Sequence, residues 1–291
     1  MRIREEKGNT IIEDVKDFDL SQTLECGQCF RFYKQDENDY VVVAYNKLLH
    51  IKQDGSNLIF FDCSENDMES WINYFDLNRD YSQIKKFLLR KDKVLKPAIE
   101  EKWGVRILNQ EFHETLISFI ISQNKQIPHI KQLVRRISEN YGSYLGSVNG
   151  EDYYSFPDCS VLGTITEEDF REMKTGFRAP YLADAVLKLS LGELKAADFK
   201  GVGEEETRKK LMTVKGVGEK VANCVMLFSL GYRAAFPIDV WIKRIMEELY
   251  FNGEDTSKDV IAKFAKENYG EYGGYAQQYL FCYGRDNKVG K

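Results

Sequence analysis

Short apolar runs separated by polar turns occupy the first part of the chain. Aromatic and β-branched side chains dominate these runs, and clusters such as Asp36–Asp39 separate them. Such runs favour strands, and the Asp, Asn and Gly residues between them favour turns. The pattern therefore predicts an antiparallel meander of four strands, with two helices after it. The strands are residues 28–33, 40–45, 48–52 and 58–61, and the helices are 68–77 and 82–90.

From about residue 97 onward, apolar positions recur with the spacing of helices. The predicted helices are residues 112–123, 128–141, 167–174, 178–191, 204–212, 219–230, 240–250, 257–268 and 272–283. We therefore predict an α+β protein with two domains, an antiparallel β-sheet domain over residues 1–97 and a helical domain over 98–291.

Two of the predicted helices are joined by a glycine-rich turn. Residues 204–212 contain many helix formers, Gly216-Val-Gly218 interrupts them, and a helical pattern resumes at Glu219. The glycines allow backbone N–H groups at the start of the second helix to approach a phosphate closely. This is a helix-hairpin-helix pattern, placed at about residues 204–230.

A lysine and an aspartate with possible chemical roles follow this turn. Lys220 lies two residues inside the second helix, where the positive end of the helix dipole disfavours a charged amine. Asp239 follows Phe236-Pro-Ile238 and precedes the helical pattern that begins at Val240, so it also fits the N-cap of a helix. The residues themselves leave both the capping and the catalytic role open.

The net charge of −5 argues mildly against nucleic acid as a partner, but the charges are unevenly distributed. Residues 1–100 carry 15 Lys and Arg against 19 Asp and Glu, whereas residues 207–245 carry 8 against 2. A local basic face is what phosphate binding requires. On charge alone, such a face and an ordinary solvated helix surface fit equally well.

Cys26 and Cys29 have the spacing of a redox or zinc pair. Among the six cysteines there is no second such pair, and the three histidines are scattered. We therefore expect no metal site. No stretch approaches the roughly 20 apolar residues of a membrane span, and no secretion signal is visible. We accordingly expect a cytoplasmic protein, associated with the nucleoid if prokaryotic.

The turn with Lys220, followed nineteen residues later by Asp239, resembles the helix-hairpin-helix DNA glycosylases, and within them the 8-oxoguanine DNA glycosylases. The resemblance extends over nearly the whole chain. It implies that Lys220 attacks the sugar and that Asp239 assists. The chain lacks the C-terminal four-cysteine run of the endonuclease III and adenine glycosylase relatives, which excludes those branches.

The resemblance also implies which residues bind the damaged base. Gly27 matches a glycine whose carbonyl accepts the proton that distinguishes 8-oxoguanine from guanine, and Cys224 matches a residue on one face of the base. Phe281 would cover the other face, and Gln277 would bond the pairing edge. At i, i+4 spacing, Gln277 and Phe281 share a helix face. Taken alone, that pair also fits ordinary core packing.

A further set of residues matches the family's DNA contacts. Asn124 corresponds to the wedge that fills the gap left by the extruded base. Arg178 corresponds to an arginine that reads the opposite base, while His129 stands where eukaryotic members have a second arginine. The remaining DNA-binding candidates are Phe177 in place of a tyrosine, Trp241 in place of a histidine, and the hairpin residues Gly216 and Gly218.

The expected partner is double-stranded DNA containing 8-oxoguanine, with no membrane and no organic cofactor, and a monomer is the default state. Two alternatives stay open. One is an alkylbase glycosylase of the same fold, which keeps the aspartate but uses water instead of a lysine. The other is a non-catalytic helix-hairpin-helix DNA-binding protein.

Overall fold

A computed structural model describes residues 2–6 and 8–290 of the chain. Its strands are β1 Arg2–Glu6, β2 Asn9–Glu13, β3 Phe32–Asp36, β4 Asp39–Ala44, β5 Lys47–Asp54, β6 Asn57–Phe61, β7 Tyr144–Val148 and β8 Glu151–Tyr154. Its helices are α1 Leu20–Glu25, α2 Glu65–Tyr74, α3 Tyr81–Lys91, α4 Lys96–Glu101, α5 Phe112–Ser122, α6 Ile127–Tyr141, α7 Cys159–Leu162, α8 Glu167–Glu172, α9 Ala179–Ser190, α10 Glu204–Leu211, α11 Glu219–Phe228, α12 Val240–Tyr250, α13 Lys258–Tyr269 and α14 Gly273–Asn287.

An antiparallel six-stranded sheet with the order β1-β2-β6-β5-β4-β3 forms the N-terminal part. The meander β3 to β6 confirms the four predicted strands, although the first begins four residues later than predicted. The sequence pattern missed β1, β2 and α1. Because β1 is largely exposed and polar, it carries little of the apolar signal from which strands are recognised.

The C-terminal part is mainly helical, which confirms the predicted α+β class. One correction concerns the hairpin β7–β8, which interrupts a region predicted to be almost wholly helical. Tyr153 and Leu145 of this hairpin pack on Val41 and Val43 of the large sheet, on the face opposite its main core. The hairpin thus fastens the helical part to the sheet.

The helical core also takes in parts of the N-terminal region. Residues of α3 and of α4 pack in it, and so do Cys26 and Phe30 from the loop after α1. This packing brings the loop with Gly27 beside α5, α11 and α14. The division of the chain into two domains near residue 97 stays a proposal, because the hydrophobic core of the helical part also contains residues from before that position.

Candidate active site

The helix-hairpin-helix turn lies between α10 and α11, and its two glycines have different surroundings. Gly216 has φ +76°, and a β-carbon there would lie 2.3 Å from the ring of Tyr181, so the turn packs directly on α9. Gly218 has φ −100°, and a β-carbon there would have no atom within 4 Å. The backbone at the start of α11 is therefore open to an approaching group.

Lys220 projects from the first turn of α11 toward the end of α5. Its Nζ donates a hydrogen bond to Ser122 Oγ at 3.4 Å, and it lies 5.1 Å from the centroid of the Phe119 ring. Ser122 Oγ in turn donates to the Phe119 carbonyl oxygen at 2.8 Å. The amine is thus oriented by a hydroxyl and placed over an aromatic face.

Asp239 caps the N-terminus of α12, where its Oδ1 accepts the N–H of Ile242 at 2.8 Å. The predicted cap is therefore confirmed, and it fixes the direction of the carboxylate. Asp239 and Lys220 line the same cavity, whose volume is about 390 Å³ and whose wall also includes Gly27 and Phe281. The cavity thus presents the amine of Lys220 and the carboxylate of Asp239 to the same bound molecule.

A second, smaller cavity of about 50 Å³ continues from the first one toward the protein interior. The structure brings together here the residues predicted to bind the base and those predicted to be catalytic. They are Gly27, Cys224, Gln277, Phe281, Lys220 and Asp239. Residues from four separate parts of the chain therefore converge on one site.

Gly27 lies in a loop that is held rigidly. Its φ of +84° belongs to the left-handed region that glycine adopts readily, and it follows directly on the C-cap of α1. The side chain of Gln28 is buried and donates to the carbonyl oxygens of Thr23 at 2.9 Å and Arg106 at 2.7 Å. Its Oε1 accepts the N–H of Leu108 at 2.9 Å. These bonds fix the backbone that faces the cavity.

Two polar side chains of this pocket, Gln277 and Cys224, are buried. Gln277 is 5% exposed, and its Oε1 is buried without a hydrogen-bond partner. A buried unpaired acceptor costs free energy, so a ligand with a donor at this point would be favoured. Burial raises the pKa of the Cys224 thiol to about 11. Near neutral pH Cys224 is therefore an uncharged wall of the pocket.

A wide cleft of about 820 Å³ opens beside the first cavity and shares Lys220 and Asp239 with it. Asn124, Phe177 and Trp241, all predicted to contact DNA, line this cleft. Phe177 is 54% and Trp241 43% exposed. Exposed aromatic rings beside a charged cleft are suited to stacking on bases.

Two further residues predicted to contact DNA, His129 and Arg178, do not line this cleft. His129 is exposed in the first turn of α6 and lines none of these three cavities. Arg178, directly after Phe177, is only 2% exposed, and its guanidinium faces backbone carbonyls. Neither residue therefore offers a free cation to the cleft in this structure.

Sequence reasoning missed most of the cations around the site. Five basic residues line the two larger cavities, whereas Asp239 is the sole acidic residue among the lining residues. The basic residues are Lys125, Lys220, Arg244, Lys258 and Arg285. This local excess provides what an anionic partner requires despite the net charge of −5. Two of these basic residues could have been predicted from their places in the sequence, because Lys125 adjoins Asn124 and Arg244 lies one helical turn after Trp241.

The Cys26 and Cys29 thiols are free and buried. Cys26 donates to the carbonyl oxygen of Thr23 at 3.1 Å and Cys29 to that of Leu24 at 3.6 Å. Within residues 2–6 and 8–290, no group of three or more His, Cys, Asp or Glu side chains is arranged to hold a metal ion. No helix in that part of the chain is both long and apolar enough to cross a membrane.

A sheet domain, a helix-hairpin-helix and a lysine–aspartate cavity together define a class of DNA repair protein, and comparison with known proteins specifies it. Residues 10–116 match the family model of the 8-oxoguanine DNA glycosylase N-terminal domain, and residues 117–270 match that of the HhH-GPD superfamily base excision DNA repair proteins. The chain belongs to this superfamily and, within it, to the family of 8-oxoguanine glycosylases.

Individual relatives agree with this assignment. A crystal structure of the Clostridium acetobutylicum 8-oxoguanine glycosylase/lyase, in complex with double-stranded DNA containing cytosine opposite 8-oxoguanine, superimposes with a TM-score of 0.94. It is 40% identical, and the match covers 99% of each chain. A probable N-glycosylase/DNA lyase of Methanothermobacter thermautotrophicus is 28% identical, over 93% of this chain and 95% of that protein. The Arabidopsis thaliana N-glycosylase/DNA lyase OGG1 is 29% identical, over 90% and 76%.

Proposed function

We propose that this protein is a bifunctional DNA glycosylase and AP lyase that removes 8-oxoguanine from duplex DNA and then nicks the strand. The observation that carries the proposal is the convergence of Lys220 and Asp239 on a cavity with Gly27, Gln277 and Phe281. An amine, a carboxylate and a pocket with groups that can contact a base are the three elements that this reaction needs. The relatives named above support the same activity.

In the first step, the neutral amine of Lys220 forms a bond to C1′ of the damaged nucleotide, and the bond from C1′ to the base breaks. The electron pair of that bond leaves with the base, which takes up a proton. Positive charge develops on the sugar during this exchange, and the carboxylate of Asp239 stabilises it electrostatically. Because Asp239 caps α12, its carboxylate is already oriented before the substrate arrives.

In the second step, the sugar ring opens and the lysine nitrogen forms a Schiff base with C1′. Loss of a proton from C2′ then expels the 3′ phosphate by β-elimination, which nicks the strand. Hydrolysis of the Schiff base returns Lys220. The hydrogen bond from Lys220 Nζ to Ser122 Oγ holds the amine at the mouth of the pocket.

Recognition of the lesion rests on residues that line the smaller cavity, two of which, Gly27 and Phe281, also line the larger one. We assign the carbonyl of Gly27 to the proton on the five-membered ring of 8-oxoguanine, and the unpaired Oε1 of Gln277 to a donor on the pairing edge. Phe281 and Cys224 would enclose the two faces of the base. Asn124, at the edge of the cleft, would occupy the gap in the duplex.

Borohydride trapping tests this proposal. Wild type, Lys220→Gln and Lys125→Gln are incubated at saturating concentration with a duplex that contains one 8-oxoguanine, in the presence of sodium borohydride. Lys125 lines the same cavity and is therefore a matched lysine control. We expect a covalent protein–DNA product with wild type and Lys125→Gln, and none with Lys220→Gln, which should still bind the lesion.

Other outcomes select an alternative. Base loss without nicking or trapping would indicate the water-using branch of the fold, whose alkylbase substrates would then be assayed. Binding of the duplex without any product would indicate a non-catalytic DNA-binding protein. Trapping of Lys220→Gln at the wild-type level would refute Lys220 as the nucleophile.

A further inference from the structure

Arg178 is buried although it lies at the edge of an exposed surface. Its exposed fraction is 2%, whereas the neighbouring Phe177 is 54% exposed. The guanidinium donates to carbonyl oxygens of two separate segments. Nε donates to Gln123 at 2.9 Å, Nη2 donates to Gln123 as well and to Asn124 at 3.2 Å, and Nη1 donates to Thr175 at 3.1 Å.

The segment that Arg178 contacts is the turn between α5 and α6. Asn124 has φ +52°, the left-handed region that asparagine tolerates at some cost. The turn's own backbone bonds are long, with Gln123 N–H to Ile120 O at 3.4 Å and Lys125 N–H to Ser122 O at 3.3 Å. Typical bonds of this kind measure about 2.9–3.0 Å. The contacts from Arg178 are therefore a major restraint on this turn.

We propose that Arg178 is a positioning residue that holds the turn at Gln123 and Asn124, so that the Asn124 side chain is directed into the duplex whichever base lies opposite the lesion. This inference rests on the proposed function, because it concerns the wedge role of Asn124. It differs from the role that the family resemblance implies, in which this arginine reads the opposite base.

The donor inventory of Arg178 supports the positioning role. A guanidinium has five N–H donors, and the four contacts to carbonyl oxygens occupy four of them. Two parallel N–H groups are needed for bidentate recognition of a base. Arg178 would therefore have to give up at least one contact with the turn before it could read a base in this way.

Single-turnover excision of 8-oxoguanine opposite each of the four bases tests the proposal. We compare wild type, Arg178→Lys, Asn124→Ala and the double variant. Arg171→Lys is the matched control, since Arg171 is exposed on α8 and pairs with Glu167 of the same helix. We expect Arg178→Lys to lower excision about tenfold with all four bases, the loss expected when a hydrogen bond to a charged group is removed. The ratio between bases should stay within about twofold of wild type.

The double variant separates positioning of the wedge from a general structural effect. If Arg178 acts through Asn124, Arg178→Lys should have little further effect once Asn124 is alanine. A loss confined to cytosine would overturn the proposal in favour of base reading. An undiminished loss in the Asn124→Ala background would also overturn it, and so would the absence of any loss.

Arg178→Gln is assayed in the same way, because it keeps two N–H donors on a neutral amide and provides a test if the lysine variant does not fold. Product formation by the wild type in the same assay distinguishes a failure of the proposed function from a failure of the proposed role of Arg178. Its absence would refute the proposed function itself, whereas wild-type product with a cytosine-specific loss would refute only the role of Arg178.

Discussion

A β-carbon on Gly27 would lie 3.4 Å from Cε1 of Phe281 and 3.5 Å from Cδ1 of Ile127. The two walls of the pocket are thus separated by a gap that the absence of a side chain keeps open. The position also requires φ +84°, which costs an L-residue about 1–2 kcal/mol. Gly27 is therefore constrained by both its backbone and the cavity it faces.

Gly27→Ala should lower excision of 8-oxoguanine at least tenfold while nicking of a preformed abasic site falls less than about threefold, because an abasic sugar brings no base into the pocket. The measurement is kcat/KM on the two duplexes. Gly55→Ala is the control, since Gly55 has φ +59° and no atom within 4 Å of its β-carbon. Equal losses on both duplexes would show that Gly27 does not serve base recognition.

Alanine at the two hairpin glycines should affect different properties, stability at Gly216 and DNA affinity at Gly218. Gly216→Ala places a carbon 2.3 Å from the ring of Tyr181 at φ +76°, so the free energy of unfolding should fall by about 3 kcal/mol. Gly218→Ala meets open space, so stability should change by less than about 0.5 kcal/mol. Its methyl group would, however, lie where a phosphate approaches, and duplex affinity should fall about fivefold, the loss of one ordinary hydrogen bond.

Chemical denaturation and duplex binding at two salt concentrations measure both glycine variants. Binding by the wild type should weaken as salt rises, because phosphate contacts release counterions. If Gly218→Ala bound the duplex as tightly as the wild type, or if wild-type affinity did not depend on salt, the hairpin would not bind phosphate as expected.

Gln277 should show opposite effects on stability and on binding. Gln277→Met keeps the shape of the side chain and removes the buried, unpaired Oε1, so the free energy of unfolding should stay equal or rise by about 1 kcal/mol. Affinity for 8-oxoguanine DNA should fall about tenfold, because the donor on the base then lacks its acceptor. Thermal unfolding and titration with a non-cleavable lesion duplex measure the two effects. A clear loss of stability with unchanged lesion affinity would contradict this assignment.

Preference for cytosine opposite the lesion should be weaker than in eukaryotic members. The family resemblance implies that His129 stands in place of an arginine and Phe177 in place of a tyrosine, and His129 is exposed outside the three cavities. Excision rates opposite all four bases, measured alongside the Arabidopsis relative, test this expectation. Strict dependence on cytosine would show it to be wrong.

The sequence by itself determined the elements with strong periodic patterns. The strands β4 to β6 and the helices α5, α6 and α12 follow from their apolar spacing, and Gly216 and Gly218 mark the hairpin turn. The cap at Asp239 was also readable, because an aspartate after Pro-Ile and before an apolar-periodic run has a local signature. In each case the interactions involved lie within a few residues of one another.

The hairpin β7–β8 could also have been found locally, since Asn149-Gly150 is a typical two-residue turn between short strands. The strands are only five and four residues long, and the surrounding helical pattern masked them. What holds this hairpin in place, the packing of Tyr153 on Val41 and Val43, depends on contacts more than 100 residues apart.

Only the tertiary structure decided how the site is assembled. The contact of Lys220 with Ser122 spans 98 residues, and that of Arg178 with Gln123 spans 55. Sequence patterns show what a residue can do, but local spacing holds no information on which distant backbone atom a guanidinium will meet. That depends on how α5, α9 and α11 pack around a shared core, and for this reason the burial of Arg178 became visible only in the folded chain.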